Sequence, residues 1–181
     1  RPTGEPESPE SPALRQAITT VIESLAGTKA GASEAIGDAA GRWPGTVVST
    51  LLGAHVVPKE FQGRSQNYVE IVCKEMIPLA SKRKLARFVD VFTDQGAFSA
   101  EDTEKIFDAA AVHGLGVRAH VCQLSRTALQ SLLRFNPASL DHMDHVNEDD
   151  IAQLARRNTV ATLVPGANYF LGLEAFPPAR K

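Results

Sequence analysis

Cysteine is scarce in this chain, two residues in 181, and neither sits where a disulfide or zinc framework would need it. There is no CxxC pair, and the separation of Cys73 from Cys122 matches no zinc-site spacing. Cys73 falls inside a helical pattern and reads as a small buried hydrophobe. Cys122, just past a strand, stays open, because a reactive-thiol role would need a lowered pKa. Charge of one sign is also missing: 19 basic against 21 acidic residues leave a formal net charge of −2. That balance gives no surface for nucleic acid or an anionic membrane, and neither is expected as a partner. Apolar runs are strand-sized, well below the roughly 18 residues of a membrane-spanning helix. The start Arg1-Pro2-Thr3-Gly4-Glu5 has no apolar signal region. The expectation is a soluble, cytoplasmic protein. GxGxxG and GxxxxGK[ST] are absent too, which argues against a doubly wound nucleotide-binding sheet.

What the chain does have is apolar material for one core, with 43% hydrophobic residues. Residues 1–13, rich in Pro, Glu and Ser, read as a disordered tail. Residues 14–45 form a poorly defined segment: a helical pattern over 14–25, then a Gly- and Ala-rich stretch that includes a short helix around 34–40. From 46 onward strands and helices alternate. The strands are expected at 46–55, 88–92, 116–121, 138–142 and 159–165. Helical patterns follow at 67–84, interrupted by Pro78, and at 100–114, 125–134 and 147–157. Such alternation with short connections predicts βα units and a parallel sheet, so 46–181 is read as a partial TIM-like (β/α) barrel of about five units. Five strands cannot close an eight-stranded barrel.

Three histidines end three of these strands. In parallel β/α folds the strand C-termini converge on one rim, where sites are built. His120, at the end of the third strand, reads either as a metal ligand or as an imidazole bonded to loop backbone. His142 lies between Asp141 and Asp144, neighbours that could fix its tautomer for proton transfer or leave it structural. His55 follows Gly53 and precedes Pro58, and could orient a substrate carbonyl. Asp94 is a turn residue or a group that supports the site from behind. His145 reads as a surface residue, and His113 as a complement to a helix dipole.

The segments VVSTLLGAHVVPKEF (47–61), YVEIVCKEMIPLA (68–80), VDVFTDQGAFSAEDT (89–103), VRAHVCQLS (117–125), LDHMDHVNEDDIAQLA (140–155) and TVATLVPGANYFLGLEAFPPARK (159–181) resemble the imidazolonepropionase family. These are amidohydrolase-superfamily enzymes of histidine degradation. The match runs in unbroken order from about 46 to 181. The resemblance implies a metal-dependent amidohydrolase barrel with one Zn or Fe ion and a hydrolytic activity. That activity opens the ring of 4-imidazolone-5-propanoate to N-formimidoyl-L-glutamate. It implies further that His120 is a metal ligand, that Gln123 and His55 contact substrate, and that His142 acts at the reacting centre.

Several family features have no counterpart in this chain. The HxH pair, the Arg and Tyr that hold the propionate, and the late Asp-Asn-Pro-Gly segment are all missing. Cys122 stands where Asp or Asn is usual, and Gln123 cannot serve as a base. One imidazole alone cannot hold a catalytic zinc. The preferred expectation is therefore an internal portion of such a hydrolase, inactive by itself. The alternative is a non-catalytic barrel fragment acting as a binding or assembly subunit, either homodimeric or completed by a second chain that pairs with the edge strands.

Overall fold

A computed structural model of the chain describes residues 31–127 and 129–180. The tail expected at 1–13 and the helix expected at 14–25 lie outside the described residues. The chain divides after Val48. Before that point the described part holds one helix, α1 (Gly31–Arg42), longer than the helix expected around 34–40.

The unit Ser49–Lys181 contains five parallel strands: β1 (Thr50–Ala54), β2 (Phe88–Thr93), β3 (Gly116–Val121), β4 (Ser139–His142) and β5 (Val160–Thr162). Their spatial order is β1-β2-β3-β4-β5. A doubly wound sheet reverses its strand order at a switch point, whereas a barrel adds each strand beside the last. The sequential order is that of a partial (β/α) barrel, as the alternation predicts.

Helices separate the strands. After β1 come α2 (Ser65–Ile71), a π-helical turn (Val72–Met76) and α3 (Ile77–Lys82). Pro78 lacks an N–H and its ring would collide with the carbonyl four residues back, so the helix widens just before it. Ile77 N bonds to Val72 O, five residues earlier. Within this turn Val72 takes the fully buried seat and Cys73 is only half-buried, which corrects the reading of Cys73 as a buried hydrophobe.

After β2, α4 (Ala100–Val112) begins with a reciprocal cap: Asp102 N donates to Ser99 Oγ at 3.1 Å, and Ser99 N donates to Asp102 Oδ2. It ends at Gly114, whose φ of 70° is the left-handed conformation that stops a helix. After β3, α5 spans only Leu129–Leu133, shorter than the 125–134 expected, because Ser125 and Thr127 bond to β2 and its loop instead of to a helix. After β4, α6 (Glu148–Leu154) carries a second capping box, between Asn147 and Asp150. The last strand stops at Thr162, and the apolar residues expected to extend it lead into α7 (Pro165–Leu171), where Pro165 occupies the first turn.

The core lies on one face of the sheet. Val89, Val91, Val117, Ala119, Val121 and Leu140 are buried there, and α4 packs against β2, β3 and α5. Ile106, Phe107, Leu129, Leu132 and Leu133 complete it. Among the described residues β1 and β5 are the sheet edges, and every β5 residue is exposed. No described helix is long and apolar enough to cross a membrane.

Removing the α4 cap by Ser99→Ala is expected to lower stability by about 1 kcal/mol in urea denaturation. Burial works against ionisation of Asp102, but hydrogen bonds from Gln66 and Ser99 and the charge of Lys105 outweigh it, so its pKa lies below the ordinary 3.8. Its stabilising contribution is full above that value and is lost as pH falls through the lower folded pKa. Ser99→Ala should therefore narrow the acid stability range, read as an unfolding midpoint at higher pH.

Candidate functional site

The sheet face opposite the core carries the polar residues. Parallel register pairs Phe92 with His120 and His120 with Asp141, so these three side chains stand in a row. Asp90, two residues before Phe92 on β2, shares that face because strand side chains alternate. Its Oδ1 lies 3.0 Å from His120 Nδ1, and an ionised carboxylate can only accept, so the imidazole N–H donates. Ligand atoms of Asp90, His120 and Asp141 fall within 4.8 Å of one another.

His55 joins this row through an irregularity in β1. Leu51 pairs with Val89 but Ala54 pairs with Val91, so the register shifts by one residue between them. Without that shift His55 would turn to the core face; with it, the ring stacks on Phe92 at 5.4 Å and 22°. Gly53 sits in the bulge, where a Cβ would come within 2.9 Å of Met76 Sδ, and its carbonyl accepts a 2.6 Å bond from Tyr68 Oη.

His142 also reaches the row by leaving regular geometry. Extended alternation would aim it away from Asp141's side, but His142 and Met143 have φ of 76° and 64°. Its ring centroid lies 5.5 Å from that of His120, and His55 lies 6.0 Å from His120 on the other side. The structure thus brings together His55, His120 and His142. Gln123 is buried in the loop after β3, and its backbone N donates to Asp94 Oδ2 at 2.7 Å.

Electrostatics divides the three imidazoles. Burial lowers the His120 pKa, but the bond to Asp90 and the charges of Asp90 and Asp141 outweigh it, so the net shift is upward. Burial lowers both His55 and His142, and the neighbouring His120 adds to the effect. His55 and His142 are therefore biased toward neutral imidazole, which can accept a proton, beside a third ring biased toward the cation. Asp141 Oδ1, His142 Nδ1 and both Asp144 oxygens are buried and find no hydrogen-bond partner among the described residues. Unpartnered carboxylate oxygens beside an imidazole form a donor set suited to a cation.

Sequence pattern does not mark Asp90 or Asp141 as a ligand: the one signal for Asp90 is a charge in the middle of the apolar strand FVDVF, and Asp141 stands out only as a neighbour of His142. Elsewhere, His113 caps α4, and His145 is half-buried rather than at the surface, with its N–H bonded to Cys122 O.

No protein-family profile matches the chain. Over 133 residues it is 44% identical to imidazolonepropionases of Vibrio parahaemolyticus and Photobacterium profundum, covering 73% of this chain and 32% of each relative. The imidazolonepropionase of Hahella chejuensis is 42% identical over 138 residues, 76% of this chain and 34% of its own length. This chain is a partial relative of imidazolonepropionase. It spans about a third of the length of these imidazolonepropionases, and the matched region is long enough to take in most of the five-stranded sheet.

Cys122, next to the site, is fully buried, and burial pushes its thiol up to about 11. At pH 8 only about one such thiol in a thousand is ionised. A thiol reagent should leave Cys122 unmodified in the folded chain and react with it on denaturation, as peptide mass mapping would show. Rapid native labelling at Cys122 would contradict this.

Proposed function

We propose that this chain forms part of a metal-dependent cyclic amidohydrolase site that opens the ring of 4-imidazolone-5-propanoate to N-formimidoyl-L-glutamate. One observation carries the reading: His55, His120 and His142 converge on one rim, beside Asp90 and Asp141, in a chain that is 44% identical to imidazolonepropionases over 133 residues.

The donor set fits one Zn or Fe ion. His120 would bind it through Nε2, since Asp90 engages Nδ1 and fixes the ring's tautomer, as a carboxylate behind a ligating histidine does. Asp141, with its unpartnered Oδ1, would be the second ligand from this chain. Such an ion would supply Lewis-acid polarisation of the ring carbonyl and activation of the attacking water. Two protein ligands are fewer than catalytic zinc normally takes, so remaining ligands would come from polypeptide outside these strands.

The chain's own side chains supply the rest. His142, biased toward the neutral form, accepts a proton and returns it to the leaving nitrogen. Gln123 hydrogen-bonds the imidazolone amide through its carboxamide but cannot take a proton. His55, held flat on Phe92, presents a ring nitrogen to the substrate.

A second reading, an assembly subunit without catalysis of its own, is favoured by the exposed edge β5, which would pair with strands from another chain. That reading requires a co-purifying partner or a dimer by light scattering. The hydrolase reading requires loss of the imidazolone ring on incubation of the natural protein with substrate.

His120→Ala is expected to abolish retention of Zn or Fe, measured by elemental analysis after dialysis. Unchanged metal content would remove His120 as a ligand. His142→Ala should keep the metal while lowering turnover by about 100-fold or more, and near-parental turnover would remove His142 from the mechanism.

A further inference from the structure

The Asp94 carboxylate, in the loop after β2, accepts four hydrogen bonds while only 8% of the residue is exposed. One is local, from Gln95 N at 2.7 Å, and belongs to its own turn. The other three arrive from the loop after β3, some thirty residues away: Gln123 N at 2.7 Å and Leu124 N at 2.9 Å on Oδ2, and Ser125 Oγ at 2.6 Å on Oδ1. Two successive amides converge on one oxygen because Cys122 adopts φ of 54°, which turns the chain out of β3. A loop residue that served only its own turn would make the first bond and not the other three.

The same turn is tied on its far side to the segment that carries His142. Met143 N donates to Val121 O at 3.2 Å and His145 N to Cys122 O at 2.9 Å. Thr127 Oγ1 reaches back to Thr93 O at 3.1 Å, closing the loop onto β2. Bonds to a carboxylate acceptor are the stronger kind, and removing it would leave four donors without their partner, Gln123 N among them in a buried place.

We propose that Asp94 is the positioning residue for Gln123: its carboxylate fixes the Cys122–Ser125 turn and thereby sets where the Gln123 carboxamide meets the substrate. The inference rests on the substrate-binding role proposed for Gln123, and its structural half can be tested separately from that role.

The first experiment is amide hydrogen exchange on the natural protein and on Asp94→Ala, Asp94→Asn and Ser125→Ala variants. Asp94→Ala should speed exchange at Gln123 and Leu124 by about tenfold or more relative to helix α4. Asp94→Asn, which keeps one oxygen for both amides and can donate to Ser125 Oγ while losing the local bond from Gln95 N, should restore most of the protection at Gln123 and Leu124. Ser125→Ala should change it little. Unchanged exchange in Asp94→Ala overturns the proposal. If Asp94→Ala does not fold, Asp94→Ser, a turn-compatible side chain too short to reach both amides, decides: faster exchange at Gln123 and Leu124 supports the clamp, whereas wild-type exchange overturns it.

The second experiment measures KM and kcat for 4-imidazolone-5-propanoate. Asp94→Ala should raise KM about tenfold, Asp94→Asn much less, and Asp94→Ala added to Gln123→Ala should have no further effect. Additive effects would mean that Asp94 acts on stability and not through Gln123, and would overturn the positioning role. Absence of turnover in the unmutated protein would instead reject the proposed hydrolase activity, and the exchange experiment alone would then decide whether Asp94 sets the turn.

Discussion

Parallel pairing of β2, β3 and β4 in continuous register is the constraint on which the site depends. It aligns Phe92, His120 and Asp141 across three strands and puts Asp90 on the same face, close enough for its carboxylate to hold His120 Nδ1. A slip of one residue in β3 would send His120 into the apolar face and bring Val121 or Ala119 out in its place. The valine-rich alternate positions on the other face resist such a slip, because each would lose its seat against α4 and α5. The burial that stabilises the sheet and the alignment that builds the site are therefore the same choice of register.

Departures from regular geometry gather at the rim and complete what register begins. The bulge around Gly53 turns His55 inward, left-handed backbone at His142 and Met143 brings in the third imidazole, and left-handed Cys122 swings Gln123 under Asp94. Non-glycine residues at positive φ carry a local cost, and here they are held by surrounding hydrogen bonds and burial. The rim is also where the unpartnered polar atoms of Asp141, His142 and Asp144 collect. In the electrostatics of such a rim, two neutral-biased imidazoles flank a third whose carboxylate neighbours favour its charge. Ligand binding and proton transfer by adjacent groups need that kind of difference.

Much of the architecture was legible in the residues. The five strands and the helices that separate them follow from local patterns that tertiary packing does not override. Where local pattern failed, a longer-range contact had intervened. The residues from Ser125 to Thr127 suit a helix, but their side chains serve β2 and its loop, and α5 starts late. The apolar residues after Thr162 suit a strand until Pro165 opens a helix. Cys73 suits a core seat, yet the widened turn before Pro78 gives that seat to Val72. His55, His120 and His142 could be picked out because they end strands, whereas Gln123 enters only through the resemblance to imidazolonepropionases. Asp90 could not be joined to His120 without knowing which strands are neighbours.

The sequence by itself determined the alternation of strands and helices, the parallel sheet and the residues that reach its rim, since these follow from hydrophobic period, caps and chain direction. Tertiary structure alone decided which carboxylate meets which imidazole, that His55 faces inward, and that Asp94 engages the loop after the next strand. Each of those depends on register, on a one-residue shift in pairing, or on hydrogen bonds between groups some thirty residues apart, and no local pattern encodes such distances.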